Sequence, residues 1–357
     1  MKPDFQNIIQ ILGSTSLVFA LAACGPTTSD QLNTGAASTG VSANESLYVA
    51  SGACYGGGVV TALGSGTVVA FDPATGNMRR LVVDYAKYSP GDQPVAISNY
   101  DATHLLVTVE NSSGRRIDLV NKDGSGLSTY LSNSTALSAV LRSASLLSDG
   151  SLLVSKSTAI EKFTPSKARV LQGASPFINA PASTCGPAAT LITGLDVLSN
   201  GKVIFTHSAA SPNNKFELIS ASGYSATTDC LGSQAAPTTL AMPTAVLVHS
   251  SGKVLVAYGS MTPASNFVYT YPINATTNVI STAISAYSDS GILVNGPSAL
   301  AEDQNSTDVF VANALSTMNT IERFSYNSTT GILTPASGRL GPNVYTKCVS
   351  AMKVIKN

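Results

Sequence analysis

Tryptophan is absent from all 357 residues, histidine occurs three times, and only 11% of side chains are charged. Each shortage removes a class of function. A typical soluble protein carries roughly 25% charged residues, whereas here twenty basic and twenty acidic side chains cancel to a net charge of zero. No basic patch emerges for nucleic acid or for electrostatic docking on anionic lipid. The lack of Trp argues against a lectin that stacks sugars on indole rings, although thirteen Tyr are present. His104, His207 and His249 are too scattered for a triple-histidine metal site. No cysteine falls in a CxxC motif, which argues against zinc and thioredoxin-like chemistry. Gly56-Gly57-Gly58 is followed by neither a helical pattern nor a lysine, so it reads as a loop tip and not as a phosphate cradle.

What is present begins at the N-terminus. Residues 11–23, ILGSTSLVFALAA, form an apolar run well short of the roughly 20 residues that span a bilayer. They match the h-region of a secretory signal. Leu21-Ala22-Ala23-Cys24 resembles the lipobox of bacterial lipoproteins at every position. The resemblance implies a signal peptide over residues 1–23, cleavage before Cys24, and acyl chains (palmitate among them) on that cysteine. Several acyl chains give durable membrane attachment where one would be marginal. Gly25, in place of Asp, implies an outer-membrane address if the cell is Gram-negative. Residues 24–44 have low complexity and no periodicity, as expected of a flexible tether spanning roughly 25 Å.

Residues 45–357 repeat. Ser143–Val154 (SASLLSDGSLLV), Gly194–Phe205 (GLDVLSNGKVIF) and Ala245–Val256 (AVLVHSSGKVLV) share one pattern of strand, tight turn and strand. Pro94–Val107 and Pro297–Val311 follow it, and Val349–Ile355 supplies its first run only. One equivalent apolar residue per copy gives Ile97, Ala144, Leu195, Val246, Leu300 and Met352, at intervals of 47, 51, 51, 54 and 52. Four short strands per repeat of about 50 residues is a β-propeller pattern. The expected fold is all-β: a six-bladed β-propeller, with a seven-bladed ring as the alternative and paired β-sandwiches as the competing architecture. The last copy has only an inner strand, and the folded region opens at Ser46–Ala50 (SLYVA), where a second strand belongs. Both chain ends therefore share one closing blade, which leaves no free sheet edge at the seam. That seam brings Cys348, just before the inner strand, beside Cys54, just after the second. A Cys54–Cys348 disulfide is expected, leaving Cys185–Cys230 as the second pair.

Loop lengths identify a working face. Connections before the first strand and after the second are long: Ser51–Gly66, Gln172–Leu191, Ser233–Pro243, Tyr287–Pro297 and Gly338–Cys348. Strand alternation puts all of them on one side, and long loops on a rigid scaffold are where binding sites usually sit. Candidate residues near this face are Asp84, Asp92, Glu110, Asn179, His207, Asp229, Asp289, Asn295, Asn343 and Tyr345. Carboxylates and amides of this set could ligate Ca²⁺ through oxygen, and His207 is the one histidine on this face. Asp196 is the candidate metal ligand, because a charge inside the inner-strand run GLDVL must face a water-filled channel or be paired.

Asp308–Thr334 (DVFVANALSTMNTIERFSYNSTTGILT) resembles the repeat of the lactonase-like and surface-layer-type propellers, and Val68–Asn77 (VVAFDPATGN) looks like the second half of the same unit. The motif is made of strand and turn residues, so it implies the fold and carries no catalytic residue over. Two functions fit. The first is a lipid-anchored envelope module that binds a protein, peptide or glycan through its long-loop face. The alternative is a lactonase-like hydrolase using a divalent metal, Ca²⁺ among them, at the channel mouth.

Overall fold

Runs rich in Val, Ile, Leu and Thr, broken every few residues by Gly, Asn or Asp, can satisfy their backbone only by pairing side by side. The computed structural model describes residues 44–56, 59–111, 114–132, 137, 140–164, 178–179, 191–208, 214–219, 230–238, 241–260, 263–274, 276–277, 279–314 and 319–357. The signal segment, Cys24 and the tether lie outside these residues, as do Cys185 and Asp229.

The chain opens with β1 (Glu45–Gly56), β2 (Val59–Phe71) and β3 (Met78–Asp84), followed by one helical turn, α1 (Tyr85–Tyr88). Blade 1 is β4 (Gln93–Asn99), β5 (His104–Asn111), β6 (Gly114–Asn121) and β7 (Leu127–Leu131). Blade 2 is β8 (Leu141–Leu146), β9 (Leu152–Lys156), β10 (Ala159–Phe163) and β11 (Ile178–Asn179). Blade 3 is β12 (Leu191–Val197), β13 (Val203–Ser208), β14 (Lys215–Ile219) and β15 (Cys230–Ala235). Blade 4 is β16 (Met242–Val248), β17 (Lys253–Gly259) and β18 (Phe267–Asn274), edged by two short strands, β19 (Val279–Ile280) and β20 (Ser285–Tyr287). Blade 5 is β21 (Pro297–Glu302), β22 (Asp308–Asn313), β23 (Thr320–Tyr326) and β24 (Leu333–Pro335). Blade 6 takes β25 (Val349–Lys356) as its inner strand and β1, β2 and β3 outside it. The protein is a six-bladed β-propeller, and both chain ends share the closing blade.

Six hydrophobic clusters of the described residues map one to each blade interface. Leu47, Val69 and Phe71 meet Phe310 and Ile321 between blades 6 and 5, for example, and Val95 and Leu106 meet Leu152 and Phe163 between blades 1 and 2. Stability therefore resides between sheets. Fully burying one such side chain contributes about 1.5–3 kcal/mol. Near the axis the wedges converge and there is little room. A Cβ on Gly194 would stand 2.9 Å from Thr206 Oγ1 and 3.1 Å from the Val246 nitrogen.

One irregularity recurs in all six inner strands. Pairing with the second strand skips a residue at Val95, Arg142, Thr193, Thr244, Ser298 and Ser350. A β-bulge of this kind bends its strand and raises local twist. The skipped residues follow the repeat's own spacing. Three of them reach into the next blade: Thr193 Oγ1 donates to the Pro243 carbonyl (2.6 Å), Ser298 Oγ to that of Val349 (2.7 Å) and Ser350 Oγ to that of Pro94 (2.6 Å). Each acceptor sits just before the bulge of its own strand, so these bonds form segments of a belt around the channel.

The seam is closed twice. β25 and β1 pair from Glu45↔Lys356 to Ser51↔Val349, and a disulfide joins Cys54 to Cys348 with a Cα–Cα distance of 4.6 Å. One local expectation is corrected. Ser51–Gly66 is largely not a loop: β1 and β2 run on as a long hairpin, Ala53 opposite Leu63 and Cys54 opposite Ala62, so Cys54 lies within a strand. Its glycine content masked strand that cross-strand pairing enforces.

Candidate functional site

The inner strands enclose a cavity of about 310 Å³ on the propeller axis, lined by residues of β4, β8, β12, β16, β21 and β25. Toward the long-loop side a smaller void of about 80 Å³ is ringed by all six bulge residues and by Cys54 and Met242. Among the residues lining the larger cavity, three carry charge: Arg142, Asp196 and Lys353. Arg142 belongs to the bulge ring. Asp196 and Lys353 stand nearer the short-turn mouth, each one residue beyond an equivalent position of the repeat (Leu195 and Met352), on blades 3 and 6.

Asp196 ties two blades together. Its Oδ1 accepts the Val197 N–H (2.9 Å) and its Oδ2 the Val248 N–H of blade 4 (2.7 Å). Burial raises its pKa, opposed first by the Lys353 charge and then by these two bonds. The Lys353 side chain is exposed to the channel, and its ammonium makes no hydrogen bond or ion pair with any described residue. Just beyond lies Glu302, which accepts the Ser250 N–H at 3.0 Å. Burial pushes its carboxyl up to about 7, against the Ser250 bond and the Lys353 charge, with Asp196 and Asp303 adding to the rise. Its neighbour His249 is fully buried, with Nε2 3.3 Å from Glu302 Oε2, and the ring packs 4.1 Å from that of Tyr326. Its Nδ1 accepts the Ser251 N–H (3.1 Å), which leaves the proton on Nε2. Burial, with the Lys253 charge, brings this imidazole down to about 4. His249 and Glu302 thus form a neutral pair in mildly acidic solution.

The residues singled out on the long-loop side are mostly committed to structure. Asp84 caps α1 through the Ala86 N–H (3.2 Å). Asp92 is buried and takes Arg116 and Asn111, and the same guanidinium grips Asp118 at 3.0 Å. Glu110 pairs with Arg115 at 3.1 Å and accepts the Leu141 N–H. Asp289 gathers the N–H groups of Ile292, Leu293 and Val294 and the Tyr287 hydroxyl. Asn295 bridges Asn266 and Asn313. Asn343 closes its own turn onto Tyr345 and Thr346, and Tyr345 packs against the cluster that holds the disulfide. Asn179 extends blade 2 by pairing with Ala159. His207 is fully buried, its Nε2 2.9 Å from Glu217 Oε1, which also takes Lys215 at 2.8 Å. Its Nδ1 has no hydrogen-bond partner among the described residues. Among the described residues no three His, Cys, Asp or Glu side chains come together as a metal-holding group.

Sequence reasoning missed Arg142, Glu302 and Lys353. The signal for Lys353 was available, because aligning Leu195 with Met352 puts Asp196 and Lys353 at one register level.

No protein-family profile matches the sequence, and no curated protein matches it. Solved structures do match in fold. A candidate 6-phosphogluconolactonase from Bacteroides fragilis superposes with a TM-score of 0.56 at 12% identity, over 87% of this chain and 98% of that one. The periplasmic gluconolactonase of Pseudomonas aeruginosa gives 0.54 at 15%, over 81% and 79%. A functionally unknown protein from Desulfotomaculum acetoxidans gives 0.52 at 10%, over 86% and 88%. At such identities the likeness concerns the backbone alone: in fold, the chain is similar to the lactonase-like β-propellers.

Proposed function

We propose that the protein is a membrane-anchored lipoprotein of the bacterial envelope, held through Cys24 and the tether of residues 24–44. Its propeller serves as a binding module that docks an envelope protein, peptide or glycan on the long-loop face. One observation carries this reading. Four large apolar side chains stand exposed on that face: Leu63 (53%), Tyr88 (59%), Ile292 (68%) and Val344 (59%). They come from the connections around three consecutive sectors, blades 5, 6 and 1. The other exposed large hydrophobics among the described residues, Met78, Val279, Ile284 and Ile332, lie at or beside the starts of outermost strands, on the rim. Exposed apolar groups gathered on one face mark interaction surfaces. The acids of the same face cap turns or hold arginines, which supports docking over metal-assisted chemistry there.

The test is cross-linking in intact envelopes followed by capture of the lipidated protein. Ile292→Asp with Val344→Asp is expected to remove a reproducible partner that the rim variant Val279→Asp retains. Equal capture by both variants would sink the proposal. The second reading, a lactonase-like hydrolase, draws support from Glu302, whose pKa near neutrality suits acid–base work. It requires turnover of a lactone or ester that depends on divalent metal and on Asp196.

A further inference from the structure

Asp196 and Lys353 present an arrangement that neither docking nor the fold requires. They sit at one register level on blades 3 and 6, three blades apart around the ring and so on opposite walls of the channel. The Lys353 charge acts on Asp196, yet the two form no ion pair. Lys353 has a long flexible stem, exposed to the channel, and still does not close the gap. Asp196 is held rigid by the Val197 and Val248 N–H groups. A fixed carboxylate facing an ammonium that has no ion-pair partner among the described residues, across a cavity, is complementary to a ligand with the reverse polarity. Next to this level each inner strand borders the cavity with one apolar residue (Ile97, Ala144, Leu195, Val246, Leu300 or Met352) whose side chain otherwise packs between blades.

From this geometry we infer that the channel binds a small zwitterion, a free α-amino acid with an apolar side chain. Its ammonium docks on Asp196, its carboxylate on Lys353, and its side chain lies against the apolar level within the cavity of about 310 Å³. The Asp196 oxygens, each accepting one backbone N–H, retain lone pairs for the incoming ammonium. A lone anion would meet Asp196 and a lone cation would meet Lys353, so neither half of the ligand is accepted well alone. The inference stands independently of docking at the long-loop face.

The experiment is calorimetric titration of the purified full-length protein in detergent with L-leucine, and separately with acetate and with methylammonium. Saturable leucine binding is expected, with neither single-charge probe binding comparably. Lys353→Met should weaken leucine binding by about tenfold or more. Its ammonium makes no hydrogen bond or ion pair with a described residue and acts on Asp196 and Glu302 only through its field, so the variant should fold with a small change in its thermal melt. Asp196→Asn should weaken binding similarly, but it also disturbs the bond to Val248, so Lys353→Met decides the case. No saturable leucine binding, acetate or methylammonium binding as tightly, or undiminished binding by Lys353→Met would each overturn the inference. The Ile292/Val344 variant should bind leucine normally, which separates this site from the docking surface.

Discussion

The two mouths of the channel are built from the same repeat and treat charge in opposite ways. At the long-loop mouth, acids meet N–H groups and arginines: Asp289 gathers three backbone donors, and Arg116 holds two buried carboxylates. At the short-turn mouth, Asp196, Glu302 and Lys353 share a space without an ion pair among them, and His249 and Glu302 are both driven toward neutrality. The difference follows from backbone economy. A long connection has many N–H groups that no ladder satisfies, and nearby carboxylates are drawn in to accept them. A tight turn satisfies most of its own groups, as when the Gly150, Gly201 and Gly252 N–H groups bond the carbonyls of Leu147, Leu198 and His249. Acids beside such turns accept the few N–H groups left over, as Asp149 does from Ser151 and Glu302 from Ser250, and Lys353 is left without an ion pair among the described residues.

The sharpest way to break this contrast is at the seam. If the long-loop mouth is structural, opening the Cys54–Cys348 bond, which closes a separation of 294 residues, should cost about 4–5 kcal/mol in the chain-entropy account. Thermal melts with and without reductant should differ by on the order of 10 °C. An unchanged melt after verified reduction would mean that the β1–β25 ladder closes the ring alone. Next comes Asp92→Ala, which leaves Arg116 and Asn111 facing a void where a buried carboxylate stood. Breaking such a pair costs about 3–5 kcal/mol. A loss under about 1 kcal/mol in denaturant titration would put Asp92 in the exposed-pair class.

The smallest effect belongs to the other mouth and is read through pH. Glu302 rises from 4.5 to about 7 on folding, so its contribution is fully present below pH 4.5 and is lost as pH rises through 7. His249 falls from 6.5 to about 4, so its contribution is present above pH 6.5 and is lost as pH falls through 4. Between these limits the two slopes oppose each other. Glu302→Gln should therefore leave stability rising with pH, and His249→Asn should leave it falling, each profile departing from the parent's by up to about 3 kcal/mol over the window. Parallel profiles would show that the pair does not titrate as described.

Much of the fold was legible because blades are copies. The spacing of Ile97, Ala144, Leu195, Val246, Leu300 and Met352 is the blade spacing, and Val349–Ile355 without its partner strands pointed to the shared blade. The bulges share that spacing but were invisible, because a skipped pairing is a property of two strands and leaves no residue type behind: Val95, Arg142 and Ser298 have nothing in common. Loop residues such as Asp289 and Asn343 looked available because a sequence does not reveal which N–H groups will lack partners. Lys353 was overlooked for a different reason, since its meaning comes from Asp196, three blades away.

The placement of β1 bears on how the domain meets force. The strand that emerges at residue 44 is flanked on both sides, by β25 and β2, and is locked at its far end by Cys54. A pull applied there acts along the strand and loads two ladders in shear at once, with a covalent stop behind them. A propeller whose first strand lay at a sheet edge would unzip one bond at a time; this one is built to bear tension from its N-terminal side without surrendering the ring.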